Sequence, residues 1–97
     1  MKKEYNDMKL KKGFTLREVC GEHVIIGEGV ETVNFGQLIN LNASATLLWK
    51  KAEEFGDFTI EQLAGALTDT YEVSPEQALS DVEALTARWQ EAGLIER

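Results

Sequence analysis

Residues 37–49 read Gln-Leu-Ile-Asn-Leu-Asn-Ala-Ser-Ala-Thr-Leu-Leu-Trp, and the local pattern changes inside them. Gln37, Leu38, Ile39, Asn40 and Leu41 make a short apolar-rich run of the length of one strand. From Ala43 onward the period is helical: Ala45, Leu48, Trp49 and Ala52 fall at i, i+3, i+4 and i+7 and share one face. Asn42 stands at the junction, where its side chain can cap a helix over residues 43–54. Gly56 follows, where a left-handed residue closes a helix. This stretch divides the chain into strands before it and helices after it.

Upstream, Phe14 to Val19 alternates roughly between apolar and polar side chains, and His23 to Gly27 is β-branched and apolar. Cys20, Gly21 and Glu22 supply a turn between the two runs, a hairpin signal. Residues 28–34 read as a looser connection, and residues 32–35 could extend a strand. With the run at 37–41, these segments predict a three-stranded antiparallel meander. Downstream, Thr59 and Gln62 fit a capping box that opens a helix with Ile60, Leu63, Ala64, Leu67 and Tyr71 inward. Ser74, Pro75 and Gln77 form the strongest start signal, with Ser as cap, Pro at the first helical position and Gln closing the box. That helix presents Ala78, Leu79, Val82, Leu85, Trp89 and Ala92 as its apolar stripe. It stops at Gly93, and Leu94 and Ile95 return to the core. The expected fold class is α+β: a three-stranded antiparallel sheet followed by three helices, an outline like a winged helix-turn-helix.

A chain of 97 residues is one domain by length. Residues 1–12 carry five lysines against Glu4 and Asp7, for a charge of +3, and read as a flexible basic arm in which Met8 and Leu10 could touch the body. The remaining residues, 13–97, form the domain proper, with a charge of −10. A body this acidic repels phosphate backbones and anionic lipid and favours neutral or basic partners. Acidity is also a common aid to solubility. With a single cysteine, Cys20, no internal disulfide can form, and neither a signal peptide nor an apolar span is evident. A soluble, cytoplasmic protein is the expectation.

The search for chemistry returns little. His23 has no second histidine, and Cys20 has no partner at redox or metal spacing. Gly27-Glu28-Gly29 begins like a phosphate loop but lacks the third glycine and the helix that should follow. The acids at 53, 54, 57, 81 and 83 fall on predicted solvated helix faces, unlike general acids and bases in a dry cleft. No catalytic residue, metal site or cofactor is expected. One feature invites a partner. The run 37–41 has no lysine, proline or bulge signal to blunt a sheet edge, so it could accept an added strand. A short or covered edge explains the same residues equally well.

Leu41-Asn42-Ala43-Ser44-Ala45-Thr46-Leu47-Leu48-Trp49 resembles the LN-x-(S/T)-A-x-x-(I/L)-W signature of the PqqD family. Phe58, Thr59 and Leu63, then Leu67 and Tyr71, then Asp81, Val82, Leu85, Trp89 and Gly93-Leu94-Ile95 follow in that family's order and spacing. The resemblance covers about residues 14–96. Trp89 stands where the family more often has Leu, and residues 43–46 lack the acid that is common early in that helix. The resemblance implies a non-catalytic peptide chaperone. Such a domain binds the leader of a ribosomally made precursor peptide and presents it to a maturation enzyme, often a radical S-adenosylmethionine protein. It also implies that the leader adds as a strand to the third strand, beside the third helix. Carried onto this chain, Gln37, Leu38, Ile39, Asn40 and Leu41 would form the ladder edge, with Ala78, Asp81, Val82 and Leu85 bordering the groove. Leu38 and Asn40 share one face of the strand and Gln37, Ile39 and Leu41 the other; the sequence leaves open which set faces the helices. Asn42, Trp49, Tyr71 and Trp89 are expected in caps and core. The expected partners are the precursor peptide and the maturation enzyme, with neither nucleic acid nor membrane, for a monomer or weak dimer. The alternative is a DNA-binding winged helix. It shares the outline but sets Glu76, Asp81, Glu83 and Glu91 against Arg88 alone on the last helix.

Overall fold

The computed structural model describes residues 8–27 and 38–96. The elements run β1 (Met8–Leu10), β2 (Phe14–Val19), β3 (Glu22–Gly27), β4 (Leu38–Leu41), α1 (Ala43–Phe55), β5 (Asp57–Phe58), α2 (Ile60–Thr70), α3 (Pro75–Glu91) and β6 (Ile95–Glu96). The expected meander is present as β2-β3-β4, antiparallel throughout. Val19 pairs with Glu22 across a two-residue turn in which Cys20 (φ 53°) and Gly21 (φ 80°) both have positive φ. That is the mirror-image turn whose twist matches a hairpin. On the other side of β3, Ile25 pairs with Ile39 and His23 with Leu41. Gln37 and the connection at 28–36 lie outside the described residues.

A second sheet, β5-β1-β6, was not foreseen from the sequence. The reading of residues 1–12 as a loose arm does not fit Met8 to Leu10, which form the central strand of this sheet. Met8 pairs with Phe58 and is buried, and Leu10 pairs with Ile95. The lysines on either side hide the signal: Lys9 points outward and reaches Asp57 at 3.8 Å, an exposed ion pair.

The helix boundaries follow the caps. Asn42 accepts from the Ala45 N–H (2.9 Å). Thr59 and Gln62 make both halves of their box, with Thr59 Oγ1 accepting from the Gln62 N–H and Gln62 Oε1 accepting from the Thr59 N–H. Ser74 accepts from the Gln77 N–H, but the Gln77 side chain turns away from the cap and donates to Asp81 Oδ1 at 2.8 Å. α3 ends in a Schellman motif: the Gly93 N–H bonds to the Gln90 carbonyl and the Leu94 N–H to that of Trp89, with Gly93 at φ 84°. This reversal buries Leu94 and delivers Ile95 and Glu96 to β1 as β6.

The core lies among the three helices and the inner face of β4. Trp49, Phe58, Leu63, Ala78, Val82 and Leu94 are all fully enclosed there. α2 packs on both α1 and α3, and Trp49 meets Trp89 edge to face. Two residues of the expected stripes depart from them. Leu79 is exposed. So is Tyr71, which follows the last turn of α2 in extended conformation rather than continuing its buried face. Among the described residues no helix is long and apolar enough to cross a membrane.

Candidate functional site

The end of the meander and the start of α1 are continuous, so β4 is fixed against the helices by the same junction that the sequence announces. Leu41 is buried and Ile39 packs against the core, while Asn40 is exposed; the Ile39 and Leu41 set therefore faces the helices. Ile25 supports Ile39 from the neighbouring strand. Among the described residues, β3 is the sole strand paired with β4, so its other edge carries no ladder partner. Alternate N–H and C=O groups along that edge are free for a further strand.

Beside this edge lies a groove of about 640 Å³. Ile39, Asn40 and Leu41 form one wall; Asp81, Ala84, Leu85 and Arg88 of α3 form the other. Leu48 and Trp89 belong to its apolar base, and Tyr71 and Val73 border it from the α2–α3 connection. Its lining sets apolar side chains next to a strand edge, with Asn40, Asn42, Ser44, Tyr71, Asp81 and Arg88 as the polar groups.

Of the residues expected at the site, Ile39, Asn40, Leu41, Asp81 and Leu85 do line the groove. Leu38 lies in β4, at the ladder edge, and Gln37 lies outside the described residues. Ala78 and Val82 do not border the groove: both are completely buried, because α3 turns that stripe toward the core. Tyr71 and Trp89, assigned to the core from the sequence, belong to the groove lining as well. Trp89 is a core residue with one side on the groove, and its indole N–H has no hydrogen-bond partner among the described residues. Trp49 differs: its Nε1 donates to Glu53 Oε2 at 3.0 Å. Arg88 was seen in the sequence as an isolated base on an acidic helix; its place in the groove was missed. The seven-residue spacing from Asp81 is the signal that could have shown it, since both then fall on one helix face.

His23 and Cys20 lie on the meander and neither lines the groove. The acids that clustered in the sequence serve separate local roles: Glu53 holds Trp49, Glu54 reaches Lys51 at 3.5 Å and Asp57 reaches Lys9. Among the described residues no group of three or more His, Cys, Asp or Glu could hold a metal ion.

The described residues thus form an α+β domain in which a strand edge without a ladder partner adjoins a groove. The family model for coenzyme PQQ synthesis protein D (PqqD) matches residues 22–95, and the chain belongs to the PqqD family. A comparison with curated protein sequences gave no significant match. Solved structures agree on the fold. A lasso peptide synthetase B1 complexed with its leader peptide superposes with a TM-score of 0.73 at 21% identity, covering 93% of this chain and 98% of that one. TbiB1 in complex with the TbiA(beta) leader peptide gives 0.73 at 18% identity, covering 91% and 94%. The PqqD truncation of Methylobacterium extorquens PqqCD, described as a stand-alone recognition element for ribosomally synthesised and post-translationally modified peptides, gives 0.70 at 22% identity, covering 94% and 89%.

Proposed function

We propose that this domain is a non-catalytic peptide chaperone. It binds the leader of a ribosomally synthesised precursor peptide as an added strand on β4, next to α3, and presents it to a maturation enzyme. The observation that carries this reading is the open edge of β4 directly beside the apolar groove under α3. Backbone hydrogen bonds along Leu38 to Leu41 would supply sequence-tolerant affinity, and alternate leader side chains would enter the groove over Leu85 and Trp89. Family membership and the leader-bound state of two structures sharing the fold support the same assignment. A maturation enzyme of the radical S-adenosylmethionine type is one partner compatible with it. The DNA-binding alternative draws no support from α3, whose exposed face sets Glu76, Asp81, Glu83 and Glu91 against Arg88 alone.

The test is an NMR titration of the isotopically labelled chain with the leader segment of a precursor peptide encoded beside its gene. The expected result is large amide shifts at residues 38–41 and along residues 81–89, with slowed hydrogen exchange on the outward N–H groups of β4. Saturable binding whose shifts fall elsewhere would refute strand addition. Tighter, steeply salt-dependent binding of random duplex DNA would favour the alternative.

A further inference from the structure

Among the described residues, only two that line the groove are charged, Asp81 and Arg88. Both are exposed and both belong to α3. Seven residues of helix separate them by about 10.5 Å along the axis and rotate them by only about 20° from one another. Leu85 stands between them and lines the groove too. Asp81 accepts from Gln77 but has no cation, and Arg88 makes no ion pair among the described residues. A groove on an acidic body thus carries one charge of each sign, with an apolar residue midway.

Resting on the peptide-binding reading above, we propose that this groove selects by charge register. The favoured ligand is an extended segment with an acidic and a basic side chain four residues apart and an apolar side chain midway, so that the base faces Asp81, the apolar group sits over Leu85 and the acid faces Arg88. The spacing follows from strand geometry. Side chains on one face of an extended peptide recur every second residue, so positions i and i+4 stand about 13 Å apart. The excess over the helix spacing is within the reach of the long arginine side chain. A spacing of two residues, about 7 Å, is too short and leaves no residue for Leu85. A wholly basic ligand, which the net charge alone would attract, sets like charge against Arg88, and a wholly acidic one does so against Asp81. Such mismatches are a common source of selectivity.

The test is selection from a phage-displayed library of random 12-residue peptides. One selection uses the full chain; the other uses a variant carrying both Asp81→Lys and Arg88→Glu. Both positions are exposed, and the amide spectrum of the variant verifies its fold. Wild-type binders should share the opposite-charge, four-residue pattern, and binders to the variant should show it with the signs exchanged. With a selected peptide made synthetically, neutralising either charge should weaken binding by about 1.5–5-fold, the range of an exposed ion pair. Raising salt from about 50 to about 500 mM should erase most of that difference. Selected peptides that shift the amides of residues 38–41 yet show no charge pattern, or the same pattern against both proteins, overturn the charge register and leave strand addition standing. Selected peptides that leave residues 38–41 unmoved, or no selected peptides at all, overturn both.

Discussion

Trp49 and Trp89 meet edge to face, with ring centroids 5.2 Å apart and planes at 82°. The pair ties α1 to α3 at the base of the groove, and the two rings are unequally provided for. Trp49 is completely buried with its N–H bonded to Glu53, while Trp89 lines the groove with its N–H unbonded among the described residues. Truncating either to Ala should cost about 3–5 kcal/mol in denaturant-monitored unfolding. The two losses should fall short of additive by about 0.5–1.5 kcal/mol, because each single variant already removes the ring contact. Trp89→Phe should retain more stability than Trp89→Ala. Full additivity in the double variant would mean that the contact contributes nothing of its own.

Met8 makes the N-terminal segment part of the fold. It is buried against Phe58 at the centre of the second sheet, and the Lys11 N–H bonds to the Leu94 carbonyl at 2.8 Å. Met8→Ala should therefore cost about 2–5 kcal/mol. Deleting residues 1–12 should lower the melting temperature sharply instead of trimming an independent arm. A truncated chain that melts like the full one would show that β1 is dispensable.

The difference between Met8 and the rest of the core explains what the sequence could and could not tell. Helix starts were legible because Asn42, Thr59 and Ser74 carry their own local hydrogen-bond chemistry and need no distant partner. β1, β5 and β6 are two or three residues long. No periodicity can develop over so few residues, and their pairing depends on contacts between chain ends. At the candidate site the short strand was legible from its apolar run without a blunting residue, whereas Asp81 came to the groove only through the family resemblance, since its own pattern reads as a solvated helix face. Val82 was misplaced because a family signature records the core and the groove face of one helix together, and Ala78, one turn earlier on the same buried stripe, went with it. Tyr71 was misplaced because it sits one residue past the end of α2, where helical phase no longer applies.

Cys20 occupies a left-handed position at φ 53° without being glycine or asparagine. That conformation costs an ordinary L-residue up to about 1–2 kcal/mol, and asparagine less. The following Gly21 already suits the turn. Cys20→Asn should therefore raise stability by up to about 1 kcal/mol, read as a higher denaturation midpoint at unchanged slope. Replacing Gly21 by Val should lower it, since a β-branched residue is badly strained at φ 80°. A destabilised Cys20→Asn variant would mean that the cysteine makes a contact that offsets its strain.

The edge of β4 gives the sharpest expectation. Along an antiparallel strand alternate residues direct their N–H groups to opposite sides, so Ile39 and Asn40 differ: one serves the ladder with β3 and the other faces outward. Proline at the outward position removes a donor that only an added strand would use, and edge strands tolerate it there. Proline at the inward position breaks a bond within the sheet. Asn40 is exposed whereas Ile39 packs on the core, so substitution at Asn40 also disturbs less packing. Of Ile39→Pro and Asn40→Pro, one should melt close to wild type yet lose leader binding by tenfold or more, about 1.4 kcal/mol, the order of one or two backbone hydrogen bonds. The other should lose stability first. Asn40→Ala should bind nearly normally, because strand addition uses the backbone and not this side chain. If both proline variants fold and both keep full affinity, the peptide does not pair with β4. If Asn40→Ala alone abolishes binding, recognition runs through the side chain, and the groove must be read as a side-chain pocket without a ladder.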